Sequence, residues 1–230
     1  MEQVKQFWVD FVEGRITVPM MLEQTEAEPA LLDWLTSIAA SHFKTLVVHK
    51  VIDEDGWPSF PTEELPFDAK IQIQEYVYKK NGHTKLGKHL NIHGYFSRVV
   101  MEAFPEDGIT RDQTLGDKCG FMLEACPEYI GGPEVDHLLE NILEELPKDL
   151  SKSKRVKLYK EKVKAMFHVQ GNKFPRWVQE AEWPLGSSGK PMRFVEQKRK
   201  KGKEYVASMY THFMFEDVDT GETRIVDQFT

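Results

Sequence analysis

The spacing of apolar residues changes once along this chain, and that change restricts the fold more than any other feature. Up to about residue 170 the apolar residues recur every three or four positions, as Val4, Phe7, Trp8 and Phe11 do, which is typical of helices. After about residue 190 short strand-like runs follow, separated by turns. The sequence therefore predicts an α+β fold, with a mostly helical N-terminal body and a C-terminal antiparallel β-meander.

Helices are predicted over most of the first 170 residues. The opening helix is expected to end near Gly14, since glycine favours a helix end. A longer helix at 85–104 is predicted to be broken or perturbed near Gly94. Ser151 is a suitable N-cap for the last helix, which extends to about His168. The other predicted helices are 19–24, 29–40, 66–80, 114–125 and 133–146.

One strand is predicted inside the helical body. Residues 44–52 are rich in β-branched side chains, which favour an extended backbone. Residues 53–58 then predict a turn. Because Pro58, Pro61 and Pro66 follow closely, the next stretch is expected to be irregular.

The C-terminal segment begins with aromatic residues and prolines. Trp177 and Trp183 lie in these clusters, which are expected to dock the meander on the helical body. The sequence thus predicts a body, 1–170, and a segment, 171–230, packed together as one unit. The predicted strands are 192–197, 204–216 and 223–228, joined by a charged loop at 198–203 and a hairpin loop at 217–222.

Charge is distributed unevenly. Residues 151–203 hold 16 Lys and Arg but 4 Asp and Glu, in a chain that totals 30 and 37. Such a segment can bind a polyanion, lie against acidic residues of its own chain, or face water. The residues predicted to contact a partner are the aromatic and basic ones, Trp177, Trp183, Lys198, Arg199, Lys200 and Lys201.

A pair of histidines partly matches a catalytic motif. His89 and His93 have the spacing of the helical half of a zinc protease site, but Leu90 stands where the catalytic glutamate is required. Loop 217–222 similarly lacks the ligand spacing of a calcium-binding loop. The sequence therefore predicts no catalytic residue, no metal site and no cofactor.

Cys119 and Cys126 are the only cysteines and are expected to be inert free thiols, as suits a reducing compartment. The N-terminus lacks the pattern of a signal peptide, and the apolar runs are too short to cross a bilayer. We therefore expect a cytoplasmic protein without a membrane partner.

Several motifs resemble an uncharacterised family of bacterial cytosolic proteins. They are the segments 174–179 (FPRWVQ), 182–184 (EWP), 189–195, 215–222 (FEDVDTGE), 227–229, 121–127 and 131–136. Proteins of this kind resemble the immunity partners that bacteria encode beside secreted toxins. The resemblance implies a non-enzymatic factor that binds and neutralises another protein, a toxin.

Two hypotheses about function follow, and an enzyme of unknown type stays open as a third, because catalytic groups can assemble from residues distant in sequence. In the first, the chain is such an immunity-like binding protein, whose acidic body suits a basic partner. In the alternative, it is a nucleic-acid-associated accessory protein that uses the basic segment 151–203.

Overall fold

The computed structural model describes residues 2–79, 84–201 and 209–229. Contacts group the chain into two compact units, Met1–Cys119 and Gly120–Thr230, here called unit 1 and unit 2. The division falls inside the range 1–170 that the sequence assigned to one helical body. The expected boundary at residue 170 follows from the change in sequence pattern there. In the structure, the helices after residue 120 pack with the C-terminal strands through Phe167, Trp183 and Phe215.

Unit 1 is built mainly of helices at the positions predicted. Gly14 follows the first helix as expected, with a positive φ of 77°. The predicted helix 66–80 forms a short α-helix that continues directly into a π-helix. The helical elements are α1 (Glu2–Val12), α2 (Val18–Ala27), α3 (Ala30–Ile38), α4 (Ala69–Ile73), the π-helix (Gln74–Lys79), α5 (Lys85–Ala103) and a 3-10 turn (Pro105–Asp107).

An aromatic cluster forms the centre of unit 1. Trp8 of α1 is fully buried, and its ring contacts Phe11 and Phe96 edge to face at 5.7 and 5.6 Å between centroids. The indole N–H donates to the carbonyl of Leu31 at 3.1 Å, so its polar atom is also satisfied. Aromatic rings bury roughly 150–250 Å² each, so this cluster contributes a large apolar area to the core of the unit.

A β-hairpin arm, residues 44–66, extends from this core. Strand β1 (Lys44–Val48) pairs antiparallel with β4 (Thr62–Pro66), and β2 (Val51–Ile52) pairs with β3 (Pro58–Ser59). The prediction of a strand beginning at residue 44 is confirmed, but the expectation that 58–66 is irregular is wrong. Prolines are compatible with an edge strand that lacks a neighbour on one side, as β4 does here.

Helix α5 is continuous, contrary to the expected break at Gly94. A Cβ atom at this position would lie 2.9 Å from the guanidinium of Arg111. The glycine therefore makes room for a neighbouring side chain, and a single glycine inside a helix costs only about 1 kcal/mol.

Unit 2 contains helices followed by a three-stranded sheet. The boundary between the units falls within α6 (Thr114–Ala125), whose limits agree with the prediction. Tyr159 and Phe167 lie in its core, where the Tyr159 hydroxyl donates to the carbonyl of Leu139 at 3.2 Å. The other elements are α7 (Asp136–Glu144), α8 (Lys152–Met166), β5 (Arg193–Lys201), β6 (Met209–Glu216) and β7 (Thr223–Phe229).

The sheet is the predicted antiparallel meander, in the order β5-β6-β7. One detail differs, because residues 198–201 continue strand β5 instead of forming a loop. Lys198 pairs with His212 and Arg199 with Thr211, so the backbone of this basic run is satisfied by β6. Residues 202–208, which include the rest of the expected loop and the start of the second expected strand, lie outside the described residues.

The hairpin loop 217–222 is confirmed, and its contacts show why it forms. The Asp217 carboxylate accepts the backbone N–H groups of Asp219 and Ser187, at 2.9 and 2.8 Å. The Asp219 carboxylate in turn accepts Ser188 Oγ at 2.6 Å and Lys190 Nζ at 3.0 Å. The aspartates of this loop thus join the hairpin to residues 187–190.

Helices and antiparallel strands together make this an α+β protein, as predicted. Among the described residues, no helix is both long enough and apolar enough to cross a membrane.

Candidate protein-binding site

The hairpin arm of unit 1 exposes large apolar side chains to solvent. Every residue from 51 to 60 is exposed. Trp57 is 71% exposed, Phe60 59% and Ile52 56%, and Val48 and Val51 are also exposed. Monomeric proteins rarely leave apolar side chains grouped on the surface, and aromatic residues are enriched where proteins bind each other. The arm therefore has the composition of a binding surface.

The tip of the arm is ordered by its own hydrogen bonds. Asp53 Oδ1 accepts the N–H groups of Asp55 and Trp57 at 3.1 and 2.7 Å. The Asp53 N–H donates to the Trp57 carbonyl at 2.9 Å, and Gly56 supplies the positive φ of 84° that the turn requires. Because the backbone around Trp57 is held before any contact, binding there loses little conformational entropy.

Acidic residues surround these apolar side chains. The arm carries five Asp and Glu against two Lys, and the acidic ones are Asp53, Glu54, Asp55, Glu63 and Glu64. Three of the five stand together at the tip. The arm therefore combines an apolar surface with negative potential, which suits a positively charged partner.

The base of the arm is fixed to the core of unit 1. Thr45 is fully buried, and its hydroxyl accepts the backbone N–H of Asp68 at 2.8 Å. The Tyr95 hydroxyl donates to the carbonyl of Lys44. Phe43 and Phe67, on either side of the arm, both contact the Tyr95 ring. These contacts hold the arm in one direction relative to the helices of its own unit.

A cavity of about 530 Å³ lies beside the arm, against the π-helix. The buried Glu75 carboxylate pairs with Lys79 Nζ at 3.0 Å and accepts the Val48 N–H at 3.4 Å, which joins the π-helix to β1. π-Helical turns are frequent at functional sites. The apolar part of the cavity wall is Leu46, Val48, Phe60 and Tyr76, which suits an apolar side chain of a partner.

No protein-family model, curated protein or solved structure matches this chain. The residues that the sequence predicts to bind a partner lie in different surroundings. Trp183 is 1% exposed, with its N–H donated to the Met192 carbonyl at 2.8 Å and its ring against Phe167 and Phe215. Its indole offers no surface to a partner, so Trp183 is a core residue, in the docking role also expected of these clusters.

Trp177 and Lys198 lie on opposite faces of the meander. The half-buried Trp177 ring packs on Phe213 at 4.6 Å, and its N–H donates to the Tyr129 carbonyl at 2.9 Å. Lys198 pairs with His212 on the other face and contacts Glu196 Oε1 at 2.5 Å. A single small surface cannot include both residues.

The other three residues predicted to contact a partner, Arg199, Lys200 and Lys201, also belong to strand β5. Arg199 is the next residue of β5 and so points to the face opposite Lys198. Lys200 and Lys201 belong to β5, but their side chains lie outside the described residues. The four predicted residues with described side chains, Trp177, Trp183, Lys198 and Arg199, are therefore divided between the core and both faces of the sheet.

The histidine and cysteine residues examined as catalytic or metal-binding candidates lie in surroundings that give them a structural role. His93 is buried, with Nε2 3.1 Å from the Phe11 carbonyl. Burial raises the pKa of the Cys126 thiol to about 11, which keeps it protonated and unreactive at neutral pH. Across residues 2–79, 84–201 and 209–229, no group of three or more His, Cys, Asp or Glu is arranged to hold a metal ion.

The sequence predicted the first strand and the turn of the arm, but neither its return strand β4 nor the exposure of its aromatic residues. Two signals were present, since Trp57 and Phe60 stand outside any helical stripe and follow three consecutive acidic residues. Prolines at 58, 61 and 66 predict an irregular stretch, and an irregular stretch does not indicate which of its side chains are exposed.

Proposed function

We propose that this chain is a protein-binding factor and that the hairpin arm is its contact surface. The observation that carries the proposal is the exposure of Trp57, Phe60 and Ile52 on an arm whose backbone is already ordered. Rigid, exposed aromatic residues are typical anchors of protein interfaces. The cavity beside the arm would receive a side chain of the partner.

The partner in this proposal is a basic protein. Opposite charges on two proteins accelerate their encounter, and the acidic tip of the arm supplies one side of that attraction. A basic toxin neutralised in the bacterial cytosol fits this description, in agreement with the resemblance of the C-terminal motifs to immunity-like proteins. Many proteins that act on nucleic acids carry such a positive charge.

The test uses a photoreactive amino acid placed at one of two exposed apolar positions. In the first variant it replaces Trp57, and in the control it replaces Leu123 of α6, which is 86% exposed. We expect a specific basic protein from a native bacterial lysate to cross-link at position 57 but not at position 123. Equal cross-linking at both positions, or none at 57, would contradict the proposal.

Affinity for the captured protein gives a second measurement. The double substitution Trp57→Ser, Phe60→Ser should weaken binding by roughly 30-fold or more, the loss of about 2 kcal/mol that defines an interface hot spot. Leu123→Ser should leave the affinity unchanged. Neutralising Glu54 and Asp55 should slow association, and added salt should reduce that difference.

A second candidate function rests on α8. Lys154, Lys157, Lys160 and Lys164 are exposed and spaced three or four residues apart, so they form one positive stripe. Elsewhere in the basic segment, Lys152 pairs with Glu124 at 2.7 Å and Lys162 with Glu145 at 3.3 Å. Part of the charge is thus balanced inside unit 2, and within the stripe Lys157 lies 4.0 Å from Glu161. All four lysines of the stripe are nevertheless exposed to solvent.

A nucleic acid is the polyanion that this stripe would bind. Fluorescence anisotropy with a labelled single-stranded oligonucleotide at low salt tests it. Binding that weakens steeply with salt, and disappears when the four lysines of the stripe are replaced by glutamine, would support the candidate. Binding that survives those four substitutions would exclude the stripe as the site.

A further inference from the structure

A second cavity of unit 1 lies on the other side of the π-helix from the arm. Its volume is about 440 Å³, within the range of small-molecule sites. Pro19 and Leu22 of α2 form one wall, and Val77 and Tyr78 of the π-helix form another. The third wall is α5, which contributes Lys85, Lys88 and His89.

The three basic side chains share one face of α5. Residues three and four positions apart on a helix are neighbours, so the spacing of Lys85, Lys88 and His89 directs all three toward the same cavity. Burial lowers the pKa of His89, and the charge of Lys85 lowers it further. At neutral pH the imidazole is therefore uncharged and able to donate one hydrogen bond.

No acidic residue in the described part of the chain forms an ion pair with these lysines. Other lysines of the same unit are paired within it, since Lys70 lies 2.5 Å from Asp33 and Lys79 lies 3.0 Å from Glu75. Within the described ranges, the cavity thus places two positive charges without an acidic partner beside an apolar wall. Such a site attracts a ligand that is anionic at one end and apolar at the other.

The two positive charges of Lys85 and Lys88 favour a dianionic ligand over a monoanionic one. A phosphate monoester is close to dianionic at pH 7, because its second pKa is about 6. Two lysines balance that charge, whereas a carboxylate would balance only one of them. The apolar wall of Pro19, Leu22 and Val77 would contact the organic part of the ligand.

We propose that the cavity between α2, the π-helix and α5 binds an organic phosphate monoester. Lys85 and Lys88 hold the phosphate, His89 donates a hydrogen bond to it, and the apolar wall contacts the aryl or alkyl group. This site does not depend on the hairpin arm, so it stands or falls separately from the proposed protein-binding function.

Isothermal titration calorimetry with phenyl phosphate tests the proposal. Inorganic phosphate and benzyl alcohol serve as comparison ligands, since each has one half of the expected chemistry. We expect phenyl phosphate to bind at least tenfold more tightly than either. Inorganic phosphate that binds as tightly as phenyl phosphate, or phenyl phosphate that does not bind at millimolar concentration, would overturn the proposal.

Substitutions locate the site. Lys85→Met and Lys88→Met should each weaken phenyl phosphate binding roughly tenfold or more, as expected for the loss of a hydrogen bond to a charged group. Lys70→Met removes the same charge from an exposed lysine outside the cavity and should leave the affinity unchanged. A loss of similar size in the Lys70→Met variant would mean that general charge, and not this cavity, binds the anion. The NMR titration of His89 gives an independent readout, because a bound phosphate should raise its pKa.

Discussion

The carboxylate of Asp53 accepts the backbone N–H of Trp57 at 2.7 Å, across the turn at the tip of the hairpin arm. This bond joins the most exposed tryptophan described here to an acidic residue four positions earlier in the chain. It explains how a side chain with little contact to the core is still presented in a defined position. Order at the tip is local and does not come from the interior of unit 1.

Asp53→Ala should therefore loosen the tip without destabilising the fold. The amide hydrogens of Asp55 and Trp57 lose their acceptor, so their hydrogen–deuterium exchange should become faster. The free energy of global unfolding should change by less than about 0.5 kcal/mol, because the site is exposed. Glu54→Ala is the matched control and should leave exchange at the tip unchanged. Similar exchange in both variants would show that Asp53 does not order the turn.

Trp183→Ala should destabilise unit 2 strongly. The substitution leaves a cavity between Phe167 and Phe215 and removes the donor to the Met192 carbonyl, which together predict a loss of about 3–5 kcal/mol. Trp57→Ala, a change of the same residue type at an exposed position, should alter stability by less than about 0.5 kcal/mol. Urea denaturation followed by circular dichroism measures both. Equal losses would contradict the positions of the two tryptophans.

Asp217 should make unit 2 sensitive to acid. Backbone N–H groups of Asp219 and Ser187 lower the pKa of Asp217 from 3.8 to about 2. A lowered pKa means that the folded state favours the charged carboxylate, so its contribution to stability is complete above pH 4 and is lost as the pH falls toward 2. Thermal melts between pH 5 and pH 2 should show a decline that is smaller in Asp217→Asn. An unchanged decline would show that Asp217 is not the responsible group.

Gly132→Ala should cost more than Gly171→Ala. Both glycines have positive φ, 123° and 58°, so alanine is strained at either position. At Gly132 a Cβ atom would also lie 2.8 Å from the Ala181 carbonyl oxygen, whereas nothing lies within 4 Å at Gly171. We expect a loss of about 1–3 kcal/mol at Gly132 and about 1 kcal/mol at Gly171. Melting temperatures of the two variants are compared; the reverse order would contradict the close approach of residue 181.

Local patterns predicted the helices well and the hairpin arm poorly, for a physical reason. Helix α6 was located at 114–125 because its signals lie within the element itself. Strand β4 depends on pairing with β1, nearly twenty residues away, and its own residues include Pro66. Cross-strand pairs of this kind leave little trace in a local pattern.

The candidate site was missed because exposure is decided by tertiary packing. Trp57 and Trp183 both stand beside a proline in the sequence, yet one is 71% exposed and the other 1%. The run of basic residues at 198–201 predicts a binding surface on the meander, but strand alternation places Lys198 and Arg199 on opposite faces. Which residues share a surface therefore could not be deduced from their proximity in sequence.

The segment from residue 51 to residue 60 contributes no side chain to the buried core of unit 1. Substitutions there should consequently change the stability of unit 1 little, although the turn at Asp53 and Gly56 and the pairing of β2 with β3 keep the segment ordered. Related chains can therefore diverge in this segment while the helices beneath it stay the same. A library randomised at Trp57, Phe60 and Ile52 should yield folded variants, which under the proposed function would differ in the partner they bind.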